Sequence, residues 1–323
     1  MTQSQMYEAD IVVGVDGSDE SFAALKFALK EAAITGQKVN AVFGWTHSWD
    51  TGSEPDDDES WNKVRHEISA TLRAWVEKAS DGIEFDPENL ELTSVKATGT
   101  SALLQIGANA QQIVVGRRSL GRVARWFMGS LSASLAEEST RPVTVVRILD
   151  DETQTIQDEI ANALTPADTQ VRFERPKQYM SLDRRPVVVG VDGSETSAHA
   201  LDFAMHEAAM HRRPLHVMFC WQLKDLGAVP GYENAIAPID AGQRRAEEIV
   251  EGMLAKVSVP QGVTSVETHA FHIPAAKGLI SASRYASWLV VGSRGLSGLD
   301  AHFLGSVSKQ IVNFAECTVT VVH

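Results

Sequence analysis

Cysteine is almost missing from this chain. Cys220 and Cys317 are the two it has in 323 residues, they sit in different segments, and neither has a neighbour at metal-ligand spacing. A disulfide scaffold and a thiolate metal site are therefore excluded. Basic residues are also short, 29 Lys and Arg against 42 Asp and Glu, and a formal net charge of -13 repels a polyanion from most of the surface. Nucleic acid is not an expected partner. No apolar run approaches the length that spans a bilayer, so no membrane association is expected. Residues 1–5, Met-Thr-Gln-Ser-Gln, have none of the features of a secretory leader, which with the scarcity of cysteine sets a reduced, cytoplasmic location as the expectation. Two catalytic motifs are missing as well: the Gly-Lys-Ser/Thr of a P-loop and the Gly-x-Ser-x-Gly elbow of a hydrolase. No nucleophile and base stand at a recognisable spacing.

What is present is an ordinary globular composition, 44% hydrophobic and 22% charged, long enough for two domains of about 150 residues each. The sequence repeats itself. Gly14 and Gly190, Gly116 and Gly292, and Gly129 and Gly305 share one offset of 176 residues. Val12 to Ser18, Val-Val-Gly-Val-Asp-Gly-Ser, recurs letter for letter from Val188 to Ser194, Trp45 finds Trp221, and Val143-Thr144-Val145-Val146 finds Val319-Thr320-Val321-Val322. The chain is a tandem duplication, with one domain at 1–148, a linker at 149–185 and a second domain at 186–323.

In each half, apolar β-branched runs alternate with helical stripes. Ile11 to Val15 reads as a central strand buried on both faces, which Asp16-Gly17-Ser18 turns into a helix capped by Ser18. That helix spans about Asp19 to Thr35, with Phe22, Leu25, Ala28, Leu29 and Ala32 on one stripe. Strands are expected at 39–45, 90–97, 113–115 and 143–148, with helices at 60–79, 101–109 and 130–138. The second half repeats this with strands at 187–191, 215–221, 266–272, 288–291 and 318–322, and helices at 195–211, 240–256, 276–285 and 306–315. Such alternation specifies an α/β fold: two tandem doubly wound domains, each a five-stranded parallel sheet of order 3-2-1-4-5 with helices on both faces. In that order a crevice opens at the carboxyl ends of strands 1 and 4, where Asp16 and Gly116 lie. In the linker, Ile156, Ile160, Ala163 and Leu164 fall on one face of an acidic helix expected at 151–164, and 165–185 reads as extended.

The organising stretch is Val290-Val291-Gly292-Ser293-Arg294-Gly295, followed after nine residues by Gly305-Ser306-Val307-Ser308. A buried strand ends in two glycines that allow positive φ and close backbone approach, and the chain then opens a helix. Free amides at a helix N-terminus, with the positive end of the macrodipole behind them, form an anion site without a metal or a lysine. A dinucleotide fingerprint is a poor match for Gly292 to Gly298, because that motif follows the first strand of its unit and not the fourth.

These motifs resemble the universal stress protein domain, whose signature is Gly-x2-Gly-x9-Gly-Ser/Thr beside an Asp at the end of strand 1. Both halves carry the resemblance, over about 9–148 and 185–323. It implies an ATP site, with Mg2+ as the nucleotide's usual companion, in which Asp192 meets the adenosine end while Gly292 to Gly295, with Gly305, Ser306, Val307 and Ser308, wrap the phosphates and Arg294 adds a charge. The first half keeps Asp16, Gly116, Gly129, Ser130, Leu131 and Ser132 but has Ser119 where the family has its second glycine. A residue forced into positive φ there costs about 1–2 kcal/mol, which predicts a weaker N-terminal site, offset in part by Arg117 and Arg118.

Other chemistry-bearing residues read as structural. Glu54 to Glu59 forms an acidic cluster that reads as solvated charge beside a helix N-terminus. His199, His206 and His211 lie near one helix, and His269 and His272, three apart on a strand, face opposite sides, so no metal set is expected. Cys220 reads as packing. The expected function is that of an ATP-binding stress-response regulator; the alternatives are a slow ATPase or phosphotransferase using the same pocket, and a nucleotide-free interaction scaffold. The protein partner of such a regulator is not named by the sequence. The fifth strands are sheet edges, and an exposed apolar edge is a liability. The resemblance implies pairing through this edge, here as an internal pseudo-dimer that a 37-residue linker, at about 3.3 Å per residue, is long enough to allow. A homodimer of whole chains is expected beyond that.

Overall fold

The computed structural model describes residues 10–46, 58–117, 131–148, 185–295 and 304–323. The chain divides into two compact units, residues 1–148 and 149–323.

In the first unit the described elements are β1 (Ile11–Gly14), α1 (Asp19–Thr35), β2 (Val39–Trp45), α2 (Asp58–Ser80), β3 (Leu90–Lys96), α3 (Gly99–Ile106), β4 (Gln112–Gly116), α4 (Leu131–Glu138) and β5 (Val143–Val146). All strands are parallel, and the hydrogen-bonded order is β3-β2-β1-β4-β5. This is the 3-2-1-4-5 order expected from the alternation. Central β1 is buried because both its faces are covered: Ile11, Val13 and Val15 pack with α1 and α2, while α3 and α4 pack together elsewhere in the unit, α3 on β1 and β2 and α4 on β5. The predicted stripe of α1 is the buried one, from Phe22 to Ala32. Its start is local chemistry. Gly17 takes φ 84°, a conformation side chains resist, and Ser18 then accepts a hydrogen bond from the Ser21 amide as N-cap.

The second unit has β6 (Val187–Gly190), α5 (Glu195–Met210), β7 (Leu215–Trp221), α6 (Ile239–Leu254), β8 (Val266–His272), α7 (Ala275–Ala282), β9 (Trp288–Gly292), α8 (Ser306–Phe314) and β10 (Thr318–Val322). Its parallel order, β8-β7-β6-β9-β10, is the same topology. Gly193 at φ 85° and the Ser194 cap repeat the turn of the first unit.

Element ends differ from the sequence reading at several places. Helix α3 begins at Gly99, two residues early, because the Thr98 hydroxyl caps it by accepting from the Ser101 amide, and its last turn tightens into a 3-10 segment, Gly107–Asn109. Helix α7 ends at Ala282, three residues early, and the chain leaves it through a turn in which the amides of Tyr285 and Ala286 share the Ala282 carbonyl. Strand β5 ends at Val146, two residues short of the expected end. The linker helix expected at 151–164 and most of the acidic cluster, residues 54–57, lie outside the described residues. Among the described residues no helix is long and apolar enough to cross a membrane.

Candidate functional site

The carboxyl ends of β6 and β9 converge as the switch-point argument requires. Asp192 follows β6, and its Oδ1 accepts from the Ser194 amide at 3.0 Å and from the Ser194 hydroxyl at 2.5 Å. The carboxylate is thus held by the same residue that caps α5. Opposite it, the loop after β9 is tied down at three points. The Ser293 amide bonds the Val322 carbonyl at 2.7 Å, the Gly305 amide bonds the Ser293 carbonyl at 2.8 Å, and the Thr196 hydroxyl donates to the Arg294 carbonyl at 2.6 Å. The first turn of α5 and the start of α8 therefore clamp one loop from two sides. Ser308 adds a buried bond from its hydroxyl to the Gly292 carbonyl at 2.7 Å.

The glycines are needed for closeness rather than for left-handed backbone, which corrects the reading that invoked positive φ. Neither Gly292 nor Gly295 has φ in the left-handed region. A Cβ on Gly292 would meet the Thr196 carbonyl carbon at 3.0 Å and the Ser197 amide at 3.2 Å, and one on Gly295 would run into Oδ2 of Asp192. Gly305 caps α8 without a side-chain hydrogen bond, so no side chain of the cap position takes up the first-turn amides of this nine-residue helix. Ser306 is exposed and Val307 partly exposed at that end, whereas Ser308 is buried.

In the first unit Asp16 repeats the arrangement, with Oδ1 accepting from the Ser18 amide at 3.1 Å and from the Ser18 hydroxyl at 2.5 Å. A Cβ on Gly116 would collide with the Glu20 carbonyl, the repeat counterpart of Thr196. Ser132 is buried and Leu131 exposed at the start of α4. Arg118, Ser119, Gly129 and Ser130 lie outside the described residues.

Two stretches of the chain, 9–147 and 183–323, match the universal stress protein family. The chain belongs to the universal stress protein family. It is similar to a universal stress protein of Mycobacterium tuberculosis, 28% identical over 316 residues that make up 96% of each chain. A universal stress protein of Mycolicibacterium smegmatis is 27% identical over 327 residues, 98% of this chain and 97% of the other. Among solved structures, a universal stress protein from Archaeoglobus fulgidus superposes with a TM-score of 0.58 at 16% identity, covering 98% of this chain and 97% of that one. A likeness at that identity establishes the shared fold.

Three residues around the glycine loop of this tandem universal stress protein were given no role of their own by the sequence reading, although Ser293 lies in the stretch it singled out. Ser293 is 1% exposed, and its Oγ has no hydrogen-bond partner, an orphaned hydroxyl inside the glycine loop. Thr196 ties helix to loop, and its only sequence signal is its place in the first turn after Asp192. His323 follows β10 beside the loop. Burial holds its pKa down at about 4, with the Arg294 guanidinium adding to the effect, and its Nε2 is buried without a partner.

Elsewhere, Cys220 is packing as expected: it is 4% exposed, burial pushes its thiol up to about 12, and a Cβ on Gly278 would strike its sulfur. His206 is held within its own helix, with Nδ1 2.8 Å from the Asp202 carbonyl. The histidines of the β7–β8 pair behave differently. His216 and His269 come together around Glu267, a grouping that pairing residues along a single strand overlooks. Burial lowers the pKa of both imidazoles, against the opposing pull of the Glu267 carboxylate.

Proposed function

We propose that the chain is an ATP-binding regulatory protein of the stress response, with nucleotide held at the strand-1 and strand-4 switch point of each unit and more tightly in the second. The observation that carries this reading is the loop from Gly292 to Gly295. It is fixed by backbone bonds on both sides, kept free of Cβ atoms where it meets Asp192, and followed by a helix whose first amides lack a side-chain cap. That is the construction of a phosphate cradle. The orphaned Ser293 hydroxyl supplies one further donor, and a bound phosphate oxygen removes its desolvation cost. In this reading Gly292, Gly295, Gly305, Ser306, Val307 and Ser308 surround the phosphates, Arg294 supplies positive charge that a chain of net charge -13 otherwise offers sparingly, and Asp192 faces the adenosine end. Asp16, Gly116, Arg118, Ser119, Gly129, Ser130, Leu131 and Ser132 form the N-terminal counterpart. A bound nucleotide stabilises one conformation, which a protein partner reads. The family resemblance supports Mg2+ accompanying the nucleotide, a cytoplasmic setting and a homodimer.

The test is calorimetric titration of ATP into the full chain and into Gly295→Val, together with mass spectrometry of the protein as purified. The variant is expected to lose the tighter binding event while keeping its circular dichroism. Unchanged ATP affinity in a folded variant overturns the reading, and turnover of labelled ATP above a few per hour favours the ATPase alternative over the regulator.

A further inference from the structure

Strands β7 and β8 bring three metal-ligating side chains to one face of the sheet near their amino ends. His216 and Glu267 are direct register partners, and His269 lies two residues beyond Glu267, on the same side of its strand. The imidazole rings of His216 and His269 are 5.1 Å apart. Oε2 of Glu267 sits 3.6 Å from Nε2 of His216 and 3.8 Å from Nε2 of His269. Both separations are too long for a hydrogen bond. They are a few tenths of an ångström above the roughly 3.3 Å that separates donors around a tetrahedral zinc with bonds of about 2.0–2.1 Å. One donor atom from each residue falls within 4.8 Å of the other two.

The cluster also carries unmet polar demand. Nε2 of His269 and Nδ1 of His216 are buried without a hydrogen-bond partner. Two buried nitrogens left that way cost stability unless something binds them. A cation between the rings and the carboxylate uses the Nε2 lone pair of His269 directly, and the Glu267 side chain, 54% exposed, leaves a way in and a coordination position for water.

We propose that His216, Glu267 and His269 form a binding site for one divalent transition-metal ion of the zinc class. Two imidazoles and one carboxylate favour that class over Mg2+ or Ca2+, which take all-oxygen shells. The site is separate from the nucleotide. It lies where β7 and β8 begin, whereas the glycine loop follows the carboxyl end of β9. Its consequence is structural, since an ion there crosslinks the edge strand β8 to β7 by side chains as well as by the backbone ladder.

The duplication provides an internal control. At the 176-residue offset the same three positions are Asn40, Glu91 and Thr93, and Asn40 pairs with Glu91 in the same register. The carboxylate is kept and both imidazoles are gone. The site is therefore expected once per chain and not twice.

The experiment uses the full chain with Zn2+ alone, titrated by calorimetry and followed by metal analysis after dialysis. The expected result is one retained ion per chain and a melting temperature that rises with added Zn2+. Replacing the two histidines by the residues of the first unit, His216→Asn with His269→Thr, should weaken that event by on the order of 100-fold or more. The metal-free melting temperature and circular dichroism of the variant establish that it is folded. Should the double variant not fold, Glu267→Gln at the half-exposed position serves instead, with a loss on the order of tenfold or more. Co2+ in place of Zn2+ should give the visible absorption of a tetrahedral ion in the wild type alone. Equal Zn2+ affinity and stoichiometry in the wild type and in a folded variant would show adventitious surface binding and overturn the proposal.

Discussion

Ser293, inside the glycine loop, and His323, beside it, each have a buried polar atom without a hydrogen-bond partner. An unpartnered buried hydroxyl costs free energy in the empty protein, so removing it is neutral or stabilising there, while a ligand that accepts its hydrogen bond loses by the change. Ser293→Ala is therefore expected to keep or raise the melting temperature and to weaken ATP binding by about 2–10-fold. A variant with wild-type ATP affinity removes Ser293 from the site. His323 makes a separate prediction through protons. Its pKa is about 4 in the fold against 6.5 in the open chain, so between those values the unfolded state binds the extra proton. Stability contributed by the neutral, partly buried imidazole is then full above about pH 6.5 and falls as the pH drops towards 4. His323→Gln, uncharged throughout, should make the urea midpoint change less between pH 7 and pH 5 than it does in the wild type. An identical pH dependence in the two proteins contradicts the assignment.

At the next scale, the turn after α7 and the turn before β10 are joined by an ion pair with almost no solvent around it. Arg284 Nε lies 3.2 Å from Glu316 Oε1, the side chains are 9% and 5% exposed, and the Glu316 amide also bonds the Ser283 hydroxyl at 2.8 Å. Removing one partner leaves the other charge buried. Arg284→Ala should cost about 3–5 kcal/mol in denaturant unfolding, whereas Arg284→Met combined with Glu316→Leu should cost much less, because it removes both buried charges together. A single variant as stable as the wild type rules this out. The pair also marks what the sequence could convey about elements. The β-branched runs of β1 and β6, the apolar stripe of α1, and the Gly-Ser turns that end one element and cap the next were legible, since each depends on residues within a few positions. Helix ends, such as that of α7 at Ala282, were legible to within three residues. Contacts such as Arg284 with Glu316, which join two turns, or His216 with His269, which meet through strand register, link residues 32 and 53 positions apart, and no local period encodes them. For the same reason the role of Gly295 was misjudged: the need for a bare α-carbon comes from Asp192 across the sheet and not from its own φ.

The whole molecule is a duplication whose halves keep one frame and differ in what they mount on it. Both units share the strand order, the Asp-Gly-Ser turn and a glycine, Gly116 or Gly292, pressed against the first turn of the helix that follows the first strand. Some positions have diverged: at the 176-residue offset Ala108 and Thr140 stand for Arg284 and Glu316, and Ser119 stands for Gly295. The last difference bears on function. A side chain at the position of Gly295 competes for space with the carboxylate at the end of the first strand, and overpacking of that kind costs about 1–3 kcal/mol, on the order of tenfold or more in affinity. The N-terminal site is therefore expected to be the weaker, with Arg117 and Arg118 recovering part of the loss by charge. Measuring this in the intact chain avoids assuming that either unit folds alone. ATP titrated into wild type should show a tighter and a weaker event, Gly295→Val should leave the weaker one, and Ser119→Gly added to that variant should strengthen what remains by about tenfold. If Ser119→Gly leaves the residual affinity where it was, or if Gly295→Val removes both events together, crowding by the Ser119 side chain is not what sets the two sites apart.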